Sequence, residues 1–111
     1  MSEAPQSALA AQVLQAKELI QYQEGGVASR VLMKAPGGNV TLFAFSAGEE
    51  LSEHSAPFDA LVQTLDGRLI ISIDGKPHEV NSGEWIILPR NIPHALEAPE
   101  RALMLLTMIK G

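Results

Sequence analysis

The chain has 111 residues, of which 46% are hydrophobic and 19% are charged, which fits one globular domain and excludes a disordered chain. The chain has eight Lys and Arg residues and thirteen Asp and Glu residues, which give a net charge of -5. Because the sequence also contains no cluster of basic residues, nucleic acid is not expected as a partner. The absence of cysteine excludes disulfides, thiolate metal sites and a cysteine nucleophile.

The first residues predict a short helix. Leu9, Val13, Ala16 and Ile20 are spaced so that they share one helical face, in a helix that follows Pro5. The segment lacks the basic and apolar run of a secretion signal, and no stretch of about 18 apolar residues could cross a membrane. We therefore expect a cytoplasmic protein with no membrane partner.

From residue 25 onward the sequence predicts short strands that are separated by tight turns. The runs between the turns are rich in β-branched and aliphatic residues and are too short for typical helices. The turn pairs are Gly25-Gly26, Gly37-Gly38, Asp66-Gly67, Asp74-Gly75 and Ser82-Gly83. The predicted strands are residues 27–35, 39–47, 60–65, 68–73, 76–80, 84–88 and 102–109. This pattern predicts an all-β sandwich or barrel over residues 25–111, after an N-terminal helical segment over residues 1–24.

Two of these strands indicate which faces they bury. In residues 68–73, Leu69, Ile71 and Ile73 share one face, which we expect to point inward. Asp74-Gly75 then predicts a two-residue hairpin with a type I′ turn. Residues 102–109 are apolar on both faces, which is typical of a strand covered by the barrel interior on one side and by another sheet or subunit on the other. A homodimer is therefore expected.

Two further segments each begin at a glycine and contain a histidine. In residues 48–67, five residues separate Gly48 from His54, and Gly67 closes the segment. In residues 83–95, five residues separate Gly83 from Pro89, and His94 follows. These spacings resemble the two conserved motifs of the cupin superfamily. The resemblance covers roughly residues 27–109 and implies a small, single-domain, RmlC-like jelly-roll barrel, the double-stranded β-helix of cupins.

The same resemblance implies where a metal site would lie. Metal-binding cupins typically hold the ion with three histidines and one carboxylate or amide, and His54 and His94 match two of these positions. Ala56 and Ala60 stand at the other two, so the ligand set is incomplete and implies at most a weakly bound divalent transition metal. Asp59 adjoins the empty carboxylate position, but it could become a ligand only if a bulge or turn changes the direction of its side chain.

Besides an interaction or assembly domain, which the apolar strand 102–109 and the N-terminal helix would suit, two functions stay open at this point. In the first, His54, His94, Ala56 and Ala60 line a pocket that binds a small molecule, as in a binding module. In the second, His54, His94 and Asp59 hold a divalent metal in an enzyme that acts on a small organic substrate. Either histidine could also act as a general acid or base without a metal. The sequence identifies neither the ligand nor a reaction.

Other conspicuous residues are interpreted as structural. Trp85 is expected to fill the core or an interface, because it opens an apolar strand. His78 is expected to face solvent or to hydrogen-bond within its strand. The acidic cluster of Glu49, Glu50 and Glu53 is expected to form a solvated loop.

Overall fold

The computed structural model describes residues 8–110, and almost all of its regular structure is β-strand. One helical turn, α1 (Ala16–Leu19), precedes the strands. The strands within these residues are β1 (Val27–Ala35), β2 (Gly38–Phe45), β3 (Glu50–His54), β4 (Asp59–Asp66), β5 (Arg68–Ile73), β6 (Lys76–Asn81), β7 (Trp85–Leu88), β8 (His94–Glu97) and β9 (Ala102–Ile109). No helix among residues 8–110 is long and apolar enough to span a membrane.

The strands form two antiparallel sheets whose inner faces share one core. The five-stranded sheet has the order β1-β2-β9-β4-β7, and the four-stranded sheet has the order β3-β8-β5-β6. Buried residues of both sheets, such as Val62 on β4 and Leu69 on β5, belong to one hydrophobic cluster. The predicted all-β jelly-roll barrel with a short N-terminal helix is confirmed.

The inward-facing residues predicted for β5 are also confirmed. Leu69 and Ile71 are 0% and 1% exposed, and Ile73 is half-buried at the end of the strand. Asp74 and Gly75 have φ values of 53° and 82°, the pair of positive angles that a type I′ turn requires. The hairpin places Ile73 opposite Lys76, so the turn fixes the register of β5 on β6.

Strand β9 lies in the middle of the five-stranded sheet and buries both of its faces over its first three residues, 102–104. Met104 belongs to the cluster inside the barrel, whereas Leu103 packs on the outside with Leu42 of β2 and with Ile20. The cover that the sequence predicted for the outer face is thus supplied at Leu103 by the N-terminal segment of the same chain.

The N-terminal helix is much shorter than the sequence predicted. Only Ala16–Leu19 is helical, and Ile20 already has an extended backbone, with φ -149° and ψ 148°. The prediction of one continuous helical face is wrong, because Ala11 has a left-handed φ of 62° that no α-helix contains, and Val13 is 96% exposed. Pro5 lies outside the described residues.

Side-chain contacts fix this segment to the barrel. Tyr22 donates a hydrogen bond of 2.7 Å from its hydroxyl to Oδ2 of Asp66, and Nζ of Lys17 lies 3.6 Å from the same oxygen. The guanidinium of Arg101 lies 4.5 Å from the centroid of the Tyr22 ring, within the range of a cation–π contact. Burial, and then the bond to Asp66, raise the pKa of Tyr22, so its hydroxyl remains a donor.

One structural interpretation from the sequence is wrong, and for Trp85 one of its two alternatives is excluded. Glu50 and Glu53 lie in β3 rather than in a loop, and Oε2 of Glu49 accepts a hydrogen bond of 3.0 Å from the backbone N–H of Gly26. Trp85 does not fill the core of this chain, because it is 65% exposed on β7, at the edge of its sheet. Alternating burial puts Ile86 and Leu88 inward and leaves Trp85 on the outer face.

One buried hydroxyl gives a prediction for stability. Thr64 is 0% exposed, and its Oγ1 has no hydrogen-bond partner among residues 8–110. Because a buried polar group without a partner is costly, Thr64→Val is expected to raise the free energy of unfolding by about 1 kcal/mol, measured by urea denaturation. The matched control is Thr41→Val, because the Thr41 hydroxyl donates to Oδ1 of Asn39 over 3.3 Å. The control should be neutral or destabilising, and a destabilised Thr64→Val protein would contradict the prediction.

Candidate functional site

Two strands that the sequence did not predict, β3 and β8, bring His54 and His94 together. His54 ends β3, His94 begins β8, and the two are direct cross-strand partners. The register shifts between Leu51 and His54, where β3 contains one more residue than the matching stretch of β8. This bulge puts His54 on the same face as His94 and the buried Leu96, which is the face that points into the barrel.

The two imidazole rings are in contact. Their centroids lie 4.4 Å apart and their planes meet at 68°, an edge-to-face arrangement. His54 is exposed, whereas His94 is half-buried. On its other side His94 pairs with Ile73 of β5, which is half-buried. The pair therefore lies where the apolar interior meets solvent, at the mouth of the barrel.

Backbone carbonyls fix the orientation of both rings. Nδ1 of His54 lies 2.7 Å from the carbonyl oxygen of Ser52, and Nδ1 of His94 lies 3.3 Å from that of Ile92. A carbonyl oxygen can only accept, so Nδ1 of each histidine donates and carries the proton. In the neutral rings Nε2 is therefore unprotonated, and within residues 8–110 neither Nε2 has a hydrogen-bond partner. The mouth presents two acceptor nitrogens.

The position of His94 also changes its acidity. Burial, and then the neighbouring His54, lower the pKa of His94, and the hydrogen bond to Ile92 opposes this effect only in part. A lowered pKa keeps the ring neutral near pH 7, with Nε2 available as an acceptor.

Ala56 and Ala60 occupy different surroundings at this end of the barrel. Ala60 is 8% exposed and belongs to the core cluster, where it pairs with Leu88 and Met108. Ala56 is half-buried, and its carbonyl oxygen accepts a hydrogen bond of 2.7 Å from the backbone N–H of Asn91. Neither side chain supplies a donor or acceptor to the mouth.

The structure does not place Asp59 with the histidines. Its Oδ1 accepts a hydrogen bond of 2.9 Å from the backbone N–H of Arg90, and its Oδ2 lies 3.3 Å from Nη2 of Arg90. These bonds, the backbone one first, lower the pKa of Asp59. Because Ala60 faces the core and the register of β4 is regular there, Asp59 points away from the interior.

The three-residue metal site suggested by the sequence is therefore not assembled. Across residues 8–110, no group of three or more His, Cys, Asp or Glu side chains is placed to hold a metal ion. The carboxylate of Asp59 instead holds the loop before β8 against the start of β4 through Arg90. Sequence reasoning did not find Arg90, although its charge is opposite to that of Asp59.

The loop that leads into His94 is fixed by backbone hydrogen bonds on both sides. Asn91 has a left-handed φ of 63°, a conformation that asparagine tolerates. Besides the bond from Asn91 to Ala56, the backbone N–H of Asp74 donates to the carbonyl of Pro93 over 2.8 Å. His78, by contrast, lies on β6 opposite Ile71 and donates from Nδ1 to the Ile71 carbonyl over 3.3 Å.

Known proteins share this architecture. Residues 41–109 match the family model described as a cupin domain. A conserved protein of unknown function from Streptococcus pyogenes is 34% identical, with a TM-score of 0.89 over 100% of this chain and 96% of that chain. A Cupin 2 conserved barrel domain protein from Leptotrichia buccalis is 47% identical, with a TM-score of 0.81 over 84% of this chain and 45% of that chain.

A more distant similarity shows the fold alone. Salicylate 1,2-dioxygenase from Pseudaminobacter salicylatoxidans is 15% identical, with a TM-score of 0.70 over 79% of this chain and 27% of that chain. A comparison with curated proteins finds no match.

The lowered pKa of His94 predicts a pH dependence of stability. The unfolded chain binds a proton at this ring with a pKa of about 6.5, whereas the folded chain binds it only at lower pH. The free energy of unfolding should therefore fall as the pH is lowered from about 7.5 to 5.5, above the range where carboxylates titrate. Urea denaturation at several pH values measures this slope.

Two variants control for other titrating groups. His94→Gln removes the group and should flatten the slope, whereas His54→Gln removes only the neighbouring imidazole and should reduce it. A slope that is unchanged in His94→Gln would show that another group causes the dependence.

Proposed function

The chain belongs to the cupin family, and from this premise we propose that it binds a small organic molecule at the mouth of the barrel, between His54 and His94. The observation that carries the proposal is the pair of imidazoles, 4.4 Å apart and each anchored through Nδ1 to a backbone carbonyl. Rings that are already oriented lose little conformational freedom when a ligand binds.

The surroundings of the two rings favour a ligand of mixed character. The free Nε2 atoms accept hydrogen bonds, so they suit a hydroxyl or amine group of the ligand. Ile73, the cross-strand partner of His94, offers an apolar surface next to these acceptors. A molecule with a hydrogen-bond donor at one end and an apolar body at the other would satisfy both.

The side chains at the barrel mouth do not fit a resident metal ion. A metal site in a protein uses three or four protein ligands, and the mouth offers two imidazoles. Asp59 is bound to Arg90, while Ala56 and Ala60 supply no donor atom. The alternative function, a divalent-metal-dependent enzyme that acts on a small organic substrate, needs a third ligand that these residues do not provide.

Native mass spectrometry together with elemental analysis tests the proposed function. The purified protein is expected to retain an organic molecule, and after zinc is added and excess removed it should hold less than about one tenth of an equivalent, because two imidazoles bind the ion weakly. His54→Ala and His94→Ala should lose most of the organic molecule, whereas the matched control His78→Ala should retain it.

Two results would contradict this function. One is stoichiometric zinc that disappears in His54→Ala and His94→Ala, which would establish the metal-dependent alternative. The other is a protein that carries no organic molecule and whose melting temperature is unchanged by a panel of small hydroxylated and amino compounds.

We also propose a homodimer that forms through β7. Trp85 and Ile87 are 65% and 63% exposed and share the outer face of this edge strand. Next to them on β4 are Gln63 and Leu61, so this part of the face is uncharged. Because each copy carries a net charge of -5, an uncharged face is where two copies can approach with the least repulsion. A second copy related by twofold symmetry would cover both tryptophans.

Light scattering coupled to size exclusion at micromolar concentration tests the dimer. The wild-type protein should have the mass of two chains, and Ile87→Asp should raise the dimer dissociation constant by about tenfold or more, because it buries an unpaired charge. Val13→Asp is the matched control, since Val13 is 96% exposed but lies on the N-terminal segment. A monomeric wild-type protein would refute the dimer.

A further inference from the structure

A polar side chain lies on the inner face of the five-stranded sheet, at the mouth of the barrel. Asn39 on β2 pairs with Met108 of β9, and Met108 pairs in turn with Ala60 of β4. Cross-strand partners point to the same face of a sheet, so Asn39 shares the inner face with Ala60, which belongs to the core cluster. Strand β4 begins one residue before Ala60, and the chain enters it from His54 by a short loop. Asn39 therefore lies across the barrel from the histidine pair.

A hydrogen bond within β2 orients the amide of Asn39. The Thr41 hydroxyl donates to Oδ1 of Asn39 over 3.3 Å, and Thr41 lies on the same inner face, opposite Leu106. Oδ1 is therefore engaged, whereas Nδ2 has no hydrogen-bond partner within residues 8–110. Asn39 also borders an apolar groove on the outside of the barrel, but the contact with Thr41 places its side chain on the inner side. The half-buried amide thus presents a donor to the barrel interior.

The mouth combines acceptors on one sheet with a donor on the other. Both Nε2 atoms of the histidine pair accept, whereas Nδ2 of Asn39 can only donate. The surface beside Asn39 is apolar, because Met108 and Ala60 continue the same row. We propose that Asn39 determines the class of ligand, a molecule with a hydroxyl group at the histidines, a carbonyl oxygen at Asn39 and an apolar body between the two. This inference rests on the proposed function, since it names the chemistry of the ligand at the same mouth.

Three matched compounds separate the two polar contacts. Facing sheets lie about 10 Å apart and side chains project from both, so one substituted benzene ring is long enough to reach both sets of polar groups. 4-Hydroxyacetophenone carries the hydroxyl and the carbonyl, 4-ethylphenol lacks the carbonyl, and 4-methoxyacetophenone lacks the hydroxyl proton. In isothermal titration calorimetry, each of the two incomplete compounds should bind about fivefold or more weakly than 4-hydroxyacetophenone.

Variants of Asn39 test whether the carbonyl acts through this residue. The acetyl group also makes the phenol a stronger donor, so the informative quantity is the ratio of the affinities of 4-hydroxyacetophenone and 4-ethylphenol. Asn39→Asp replaces the donor with an acceptor of similar shape and should lower this ratio by about fivefold or more, and Asn39→Ala, which adds no charge, should lower it as well. The matched control Asn81→Asp should leave the ratio unchanged, because Asn81 is exposed and pairs with Arg68, at the end of β5 away from His94. Circular dichroism verifies that the variants are folded.

The proposal is overturned if the ratio is the same in both Asn39 variants as in the wild type, or if Asn81→Asp lowers it equally. It is also overturned if 4-methoxyacetophenone binds as tightly as 4-hydroxyacetophenone, because the hydroxyl would then make no contact with the histidines. If 4-ethylphenol binds the wild type but not His54→Ala, and the acetyl group adds nothing, the proposed function stands and only the ligand class is wrong. If none of the three compounds binds, the ligand class is again wrong, whereas native mass spectrometry decides the proposed function by itself.

Discussion

Strand β9 hydrogen-bonds to β2 on one side and to β4 on the other, and it is apolar on both of its faces. At about 25 cal/mol for each Å² of apolar surface removed from water, covering both faces at the start of this strand stabilises the fold. The four-stranded sheet covers Met104 on the inside, and Ile20 of the N-terminal segment covers Leu103 on the outside. Gly67 allows the turn between β4 and β5 to lie directly on the chain before β9, because a Cβ there would collide with the Arg101 carbonyl oxygen.

The pairing of strands β3 and β8 determines which side chains line the barrel mouth. When β3 and β8 pair at the end of the four-stranded sheet, the bulge before His54 puts both imidazoles on the inner face. The carbonyls of Ser52 and Ile92 then set which nitrogen of each ring carries the proton. Two of the positions at which the cupin resemblance implies metal ligands are alanines, and Asp59 holds a loop through Arg90. The geometry thus favours hydrogen bonding to a ligand over metal coordination.

The sequence predicted those features whose cause is local. The inward face of β5 and the turn at Asp74-Gly75 depend on alternation and on positive φ angles, and both are confirmed. Strands β3 and β8 were missed because five and four residues with charged members carry little alternation. They are strands because β8 pairs with β5 and β3 pairs with β8. Their pairing depends on the bulge, which no local pattern reveals.

Other features depend on tertiary contacts and could not be read from the sequence. The one-turn helix ends where Ile20 turns onto the outer cluster, which overrides the helical spacing of the apolar residues before it. Alternation predicted that Asp59 points away from the empty carboxylate position unless a bulge intervened, but the regular register there and the distant partner Arg90 could not be read from the sequence. The exposure of Trp85 follows from the position of β7 at the sheet edge, which only the strand order shows.

The most direct test of the central claim is nitrogen-15 NMR of the histidine side chains of the full chain near neutral pH, because it reports which ring nitrogen carries the proton. If the mouth is built as described, the neutral form of each ring will carry its proton on Nδ1 and leave Nε2 unprotonated, since each Nδ1 donates to a carbonyl. A neutral ring with its proton on Nε2 at either position would contradict the account, because the two acceptor nitrogens on which the proposed ligand binding rests would not exist.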